Sequence, residues 1–370
     1  MVIDVSSPFF TGKLLAAGLQ RCSEDGTNAE GGLRGVDLWD VTDPKAPGRL
    51  GFLDVGAAPI GGVHELYLFQ RGDRAFALLA VPHSEVFHPD GYGDLRIVEV
   101  TDPRNPRQLA DWGVGKDGGL AFGALSYERM LEGLTGDYSP RSACVPPPPA
   151  EPLCRGDFAW VIAHSASVSE DGTRAFVSYW DAGMVILDIA DPANPVLISQ
   201  AGPPLRDEGN VHSAIEVPGR DLAVTTDEDF VVDEGEHVTP PAAGQDSSAA
   251  ADIWGFVRIW DTSDPAQPRQ IGRYQLTGSD STDPDGLHTV HNPEVHDGLL
   301  YLSWYTDGVR VLDISKPSLP REVASFVPPP VTLPSGREVP PYVWGVHVDG
   351  DLVFLSDMAG GLYILQWESP

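Results

Sequence analysis

The chain has 370 residues, a formal net charge of −30 and a pI near 4.4, with 40 glycines and 34 prolines. So acidic a surface opposes nucleic acid and anionic membrane as partners, and no apolar run is long enough to span a bilayer. Many turn formers and few helix-period stretches predict an all-β fold, a single domain over residues 1–370.

Short runs rich in β-branched and aromatic residues, broken by turn dipeptides, follow one another along the chain. The first four are VIDVSS (2–7), KLLAAGLQ (13–20), VDLWDV (36–41) and GRLGFLDV (48–55). HELYLFQ (64–70), RAFALLAV (74–81), LRIVEV (95–100) and RQLADWGV (107–114) make a second set. The third is WVIAHSASVS (160–169), RAFVSYW (174–180), MVILDI (184–189) and PVLISQA (195–201). VHSAIEV (211–217), DLAVTTD (221–227), FVRIWDT (256–262) and RQIGRYQ (269–275) follow. A fifth set is TVHNPEV (289–295), LLYLSWY (299–305), VRVLDIS (309–315) and REVASFV (321–327). The sixth has three runs, YVWGVHVD (342–349), LVFLSDM (352–358) and LYILQW (362–367).

The third run of each set ends in the same way. VDLWDVTDPKAP (36–47), LRIVEVTDPRNP (95–106), MVILDIADPANP (184–195), VRIWDTSDPAQP (257–268), VRVLDISKPSLP (309–320) and LYILQWESP (362–370) each alternate towards an Asp, Glu or Gln. Each then stops at a proline, which cannot donate to a sheet ladder. From Pro265 to Pro317 to Pro370 the period is about fifty residues, within the range of propeller blades. These segments resemble LVIVD repeats, a bacterial and archaeal family of β-propeller repeats. The resemblance covers nearly the whole chain and implies four-stranded antiparallel blades, six of them visible. It implies no particular activity. Blade six lacks a fourth strand and blade one begins on an inner strand. The favoured reading is therefore a natural protein that extends upstream of Met1, with a signal peptide and a seventh blade.

With strands lettered A to D from inside to outside, the A–B and C–D turns are short and share one face. Every long insertion falls in a B–C or D–A loop: residues 22–35, 83–94, 115–158, 203–211, 231–253, 277–289 and 328–341. Loops this long in a compact domain carry function or are disordered. A short helix is expected at 125–134 (LSYERMLEGL). His64, His164, His212 and His291 stand at or near the start of successive inner strands on this elaborated face. Equivalent positions of that kind converge on a propeller axis, so the four imidazoles are candidate ligands for a divalent transition metal: zinc, iron or copper. Glu65, Asp227, Asp229, Glu294, His288 and His347 are candidates to support them. Asp280, Asp283 and Asp285 have the look of a calcium loop without the EF-hand spacing or its closing Glu.

Cys144 and Cys154 bracket VPPPPAEPL and are spaced to close it as a disulfide, which would imply an oxidising compartment and leave Cys22 without a partner. The expected location is secreted, cell-surface or periplasmic. No GxSxG, GxxxxGK[ST] or strand-borne GxGxxG occurs. Two readings stay open. In one, a histidine-lined axial site binds a metal or small ligand, with metal-dependent redox or hydrolytic chemistry to follow. In the other, a non-enzymatic scaffold binds a protein or polysaccharide, and each histidine bonds a Ser, Thr or Asp of its own blade: Ser178 and Asp181 for His164, Ser303 and Asp307 for His291.

Overall fold

A computed structural model describes residues 1–21, 34–56, 61–87, 90–118, 161–180, 182–202, 210–228, 255–276 and 287–367. The chain divides into two compact units, Met1–Ser139 with Ala159–Gln200, and Pro140–Phe158 with Ala201–Pro370. Blades one to three belong to the first unit. Blade one is β1 (Val2–Ser6), β2 (Thr11–Arg21), β3 (Gly35–Asp40) and β4 (Gly48–Asp54), with a short β5 (Gly61–Gly62) paired to the end of β2. Blade two is β6 (Glu65–Arg71), β7 (Arg74–Ala80), β8 (Leu95–Glu99) and β9 (Arg107–Trp112), with α1 (Ser84–Phe87) in its B–C loop. Blade three is β10 (Ser165–Val168), β11 (Arg174–Ser178), β12 (Met184–Asp188) and β13 (Val196–Ala201).

Blades four to six belong to the second unit. Blade four is β14 (Val211–Glu216), β15 (Leu222–Asp227), β16 (Val257–Asp261) and β17 (Arg269–Tyr274). Blade five is β18 (Pro293–His296), β19 (Leu299–Ser303), β20 (Val309–Asp313) and β21 (Arg321–Phe326). A two-stranded ribbon, β22 (Val331–Thr332) and β23 (Glu338–Val339), precedes blade six, which is β24 (Val343–Asp349), β25 (Leu352–Asp357) and β26 (Gly361–Gln366). The six-blade, all-β expectation is met, and α1 is the one helix among the described residues. The sequence pattern did not anticipate α1, β5 or the β22–β23 ribbon. Cys22, Cys144, Cys154, Asp229, Asp280, Asp283, Asp285 and the helix expected at 125–134 lie outside the described residues.

Strand alternation puts apolar side chains on both faces of each inner sheet, so neighbouring blades bury them against each other. Blades one and two share a core around Leu14, Leu38, Leu68 and Leu79, and blades two and three one around Phe76, Trp112, Phe69 and Tyr179. In the second unit, Val224, Ile259, Leu300 and Trp304 join blades four and five, while Val309, Val311, Val353 and Leu355 join five and six. Polar staples reinforce the apolar contacts. Arg71, in the A–B turn of blade two, donates to the carbonyls of Gly172 (3.0 Å), Ile189 (3.2 Å) and Ala190 (2.9 Å) of blade three. Arg71→Ala is expected to lower unfolding free energy by about 1.5–3 kcal/mol, the range for losing hydrogen bonds to a charged group. Urea melts that match wild type would show the staple to be idle.

Candidate metal centre

The backbone builds the histidine positions alike. The N–H of His64 donates to the carbonyl of Ala80, that of His164 to Ser178 and that of His291 to Ser303, each at 2.9 Å. Each bond ties the entry of an inner strand to the end of its neighbour. Blade four differs by a bulge: Val211 pairs with Asp227 and Ser213 with Thr226, which leaves His212 as the extra residue. Bulges re-aim side chains in this way beside functional sites.

In the second unit, His212, Glu228 and His291 are all buried, and their ligand atoms lie within 4.8 Å of one another. The Nε2 atoms of His212 and His291 are each 3.7 Å from an oxygen of Glu228. The other ring nitrogens fix the tautomers. His291 Nδ1–H donates to the carbonyl of Trp344 at 2.6 Å, so in the neutral ring Nε2 carries the lone pair. His212 Nδ1 meets Ser213 Oγ at 2.8 Å, and that hydroxyl donates onward to Asn292 Oδ1 at 3.2 Å. The hydroxyl therefore accepts from His212 Nδ1–H, and His212 Nε2 is likewise the unprotonated nitrogen. Two lone pairs thus face one carboxylate. That is unfavourable in a buried place unless a cation or proton sits among them. Donor atoms about 2.0–2.2 Å from a common ion lie roughly 3–3.5 Å apart, so the two nitrogen–oxygen separations of 3.7 Å are close to those of a metal's ligands.

Aromatic residues enclose these three. Tyr305 donates its hydroxyl to Glu228, and its ring stands edge-on to His291 at 5.1 Å. Its backbone is strained, with φ 34°. Trp344 packs on His291 at 4.4 Å between centroids and is 39% exposed. The carbonyl of Asn210, a buried residue at φ 51°, accepts from the Glu228 N–H at 3.0 Å, and its side-chain amide has no hydrogen-bond partner among the described residues.

In the first unit, His64 Nδ1 meets Gln20 Oε1 at 2.7 Å, and its Nε2 lies 2.8 Å from Nε2 of His164. The amide oxygen accepts, so the neutral His64 ring carries its proton on Nδ1, and His164 Nε2–H donates to His64. Burial pushes the His64 pKa down to about 4, which keeps that ring neutral at physiological pH. His83, at φ 65°, is lowered to about 4 as well, by burial first and by the nearby His64 second. Glu65 holds an oxygen within 4.8 Å of a His164 nitrogen, and Trp180 lies 5.0 Å from the His164 ring. Trp180 (φ 44°) stands two residues past the end of strand B in blade three, as Tyr305 does in blade five. Both place an aromatic ring against the adjacent histidine.

Nearby, the buried Asp94 accepts from the N–H of Glu85 (2.7 Å) and of Ala163 (3.2 Å). Burial, helped by the charge of Glu85, raises its pKa to about 7 against the pull of those hydrogen bonds and Arg96. The folded protein keeps this proton to about pH 7, whereas an unfolded Asp releases it near 4. This group's contribution to stability is therefore full below pH 4 and is lost as pH rises to 7. Asp94→Asn should flatten the pH dependence of unfolding free energy across that window. Denaturant melts with an unchanged slope would clear Asp94 of the role.

The residues expected to support the histidines are placed differently. Asp227 is bonded through Oδ2 to Arg258 Nε at 2.8 Å, both groups fully buried, and it is Glu228 that joins the histidines. Strand alternation explains the correction: Glu228 shares its side of the strand with Thr226, whose hydroxyl donates to the His291 carbonyl at 2.7 Å. Glu294 meets His347 Nδ1 at 3.1 Å and accepts from the Val348 N–H at 3.0 Å, away from His291. His288 is bonded to Asp307 at 3.0 Å, a pairing inside its own blade. Ser178 Oγ accepts from Ser165 N–H (2.9 Å), and Ser303 Oγ from Asn292 N–H (2.9 Å). Blade six offers Trp344, not His347, at the place of His212, because a bulge falls between Val343 and Gly345. Val-His-Ser (211–213) beside Val-Trp-Gly (343–345) was the signal in the sequence. Gln20, His83 and Asn210 gave none.

The family model for the LVIVD repeat matches residues 162–201 and 295–327. Among solved structures, the chain is similar to the periplasmic gluconolactonase of Pseudomonas aeruginosa, with a TM-score of 0.54 and 12% identity over 96% of this chain and 79% of that one. It also matches the computationally designed Ika8 protein, at TM-score 0.42 and 9% identity over 90% and 78% of the two chains. No curated protein sequence matches. The first of these likenesses extends over nearly every blade, and the chain is an all-β propeller that carries LVIVD repeats.

Proposed function

We propose that the protein is an extracytoplasmic propeller that binds a divalent transition metal (zinc, iron or copper) through His212, Glu228 and His291. The observation that carries the reading is the pair of tautomers: both Nε2 lone pairs are turned to the buried Glu228 carboxylate by hydrogen bonds made at Nδ1. Two imidazoles and one carboxylate form a set used by zinc and by non-haem iron, with positions left over for water or a ligand. A metal so held would supply Lewis acidity. Trp344 and Tyr305 pack against His291 beside this set. His64 and His164, in the first unit, are bonded to each other through Nε2 and are left out of this ligand set. Elemental analysis of protein purified without a histidine tag tests the reading. Stoichiometric metal that persists through dialysis supports it, and metal-free protein that takes up none on titration with zinc, iron or copper overturns it. Fractionation of the producing cell tests the location.

A further inference from the structure

Glu228 offers the proposed metal two oxygens, and each histidine stands beside a different one. His212 Nε2 lies 3.7 Å from Oε2, and His291 Nε2 lies 3.7 Å from Oε1. A cation seated between the two rings could therefore draw on both oxygens. Tyr305 breaks that symmetry. Its hydroxyl donates to Oε1, the oxygen on the His291 side. A carboxylate oxygen that accepts a strong O–H bond gives up electron density to it and is the poorer metal ligand of the two.

The place of this hydroxyl is fixed by the fold. Tyr305 is fully buried, and its φ of 34° is one that a bulky side chain rarely adopts. Its carbonyl accepts from the N–H of Val343 at 3.0 Å. The carbonyl of the adjacent Trp344 accepts from His291 Nδ1 at 2.6 Å and from Ser303 Oγ at 3.0 Å. One stretch of backbone at the entry of β24 thus holds both the phenol and the imidazole that it faces. Blade three has Trp180 at the corresponding place, again at positive φ and with its ring against His164. Packing there is met by an aromatic ring without a hydroxyl, so the hydroxyl of Tyr305 does something that packing does not require.

We propose that Tyr305 is a positioning residue, a role that rests on reading His212, Glu228 and His291 as metal ligands. It holds Glu228 to one-oxygen ligation through Oε2 and so keeps a coordination place on the His291 side for a further ligand. Three protein ligands with one place left open is the arrangement of catalytic zinc sites. The occupant is a compact oxygen or nitrogen donor, because His212, Glu228, His291 and Tyr305 are all buried.

The test loads the intact protein with cobalt(II), whose absorption spectrum reports coordination number, and uses azide as the probe ligand. Cobalt-loaded wild type should change its spectrum saturably as azide is added. Tyr305→Phe should bind cobalt at least as tightly, while its azide affinity falls by about tenfold or more because Oε1 has entered the open place. A tyrosine that serves packing alone would lower the melting temperature and leave azide affinity unmoved, and that result would overturn the proposal. Loss of cobalt from Tyr305→Phe would overturn it too, since an oxygen released from its hydrogen bond should not weaken the site. Should the variant not fold, infrared spectra of wild type with isotope-labelled glutamate, cobalt-loaded against metal-free, carry the test. Widely separated carboxylate stretches mark one-oxygen ligation and support the role, and closely spaced ones mark two-oxygen ligation and overturn it. Wild type that takes up no cobalt overturns the metal reading itself, and the role of Tyr305 with it, whereas the other negative results leave that reading standing or, for the lost cobalt, confined to wild type.

Discussion

Glu228→Gln is expected to abolish tight metal binding while leaving the blades intact. The amide keeps the shape of the carboxylate and still accepts from Tyr305, but it removes the charge that would hold a cation between two imidazole lone pairs. A drop in affinity of roughly a hundredfold or more is expected, since an anionic ligand is lost outright rather than reoriented. Metal bound to the folded state stabilises it by about 2.7 kcal/mol at a hundredfold excess over Kd. Chelation should therefore lower the melting temperature of wild type and leave that of Glu228→Gln unmoved. His291→Ala should also lose metal, with a further stability loss of about 0.5–1.5 kcal/mol for one lost hydrogen bond, since the Trp344 carbonyl keeps its donor from Ser303 Oγ. If the histidines are structural, the pattern inverts: Glu228→Gln melts with wild type, chelator changes neither, and only His291→Ala is destabilised. The two variants, scanned with and without chelator, separate the readings.

The architecture was open to sequence reading because each blade repeats its own evidence. Apolar alternation running into an acid and a proline fixes the third strand of every blade, and the remaining strands follow from turn dipeptides on either side. The histidine positions were legible for the same reason. What could not be read was direction. Asp227, Glu228 and Asp229 form one acidic run, and which of them faces the histidines depends on a parity that the bulge at His212 resets. Glu294 and His347 pair with each other because blades five and six bring them together, and no local spacing records that. The ribbon β22–β23 and the helix α1 lie inside insertions, where no repeat exists to compare. Asn210 and Gln20 matter through the burial or the bond they have acquired, and neither residue type stands out in a polar loop or at a strand end.

The largest loss of stability is expected from Asp227→Ala. Asp227 and Arg258 form an ion pair with both side chains fully buried, Nε to Oδ2 at 2.8 Å, and the guanidinium lies over the Phe256 ring at 4.8 Å. Arginine recurs at this place in the third strand, but with other partners. Arg96 in blade two takes the Ser84 hydroxyl and the Tyr92 ring, and Arg310 in blade five reaches Glu322 at 3.4 Å with both side chains partly exposed. Removing one member of a fully buried pair leaves an uncompensated charge, a loss of about 3–5 kcal/mol. Arg310 and Glu322 each keep part of the side chain in water, so Arg310→Ala is the internal control and should be the milder change. Replacing both Asp227 and Arg258 by apolar residues of similar volume should recover much of the loss, because the desolvation of two ions is then avoided. Asp227 also sets the parity of the strand end. With its carboxylate anchored to Arg258, the next residue must turn the other way, and that residue is Glu228. The apolar double variant should thus fold well yet bind metal more weakly than wild type, since nothing then pins Asp227's side of the strand. Denaturant melts and metal titrations on the single and double variants measure the two effects separately. A double variant with wild-type metal affinity would show that the buried ion pair serves stability alone.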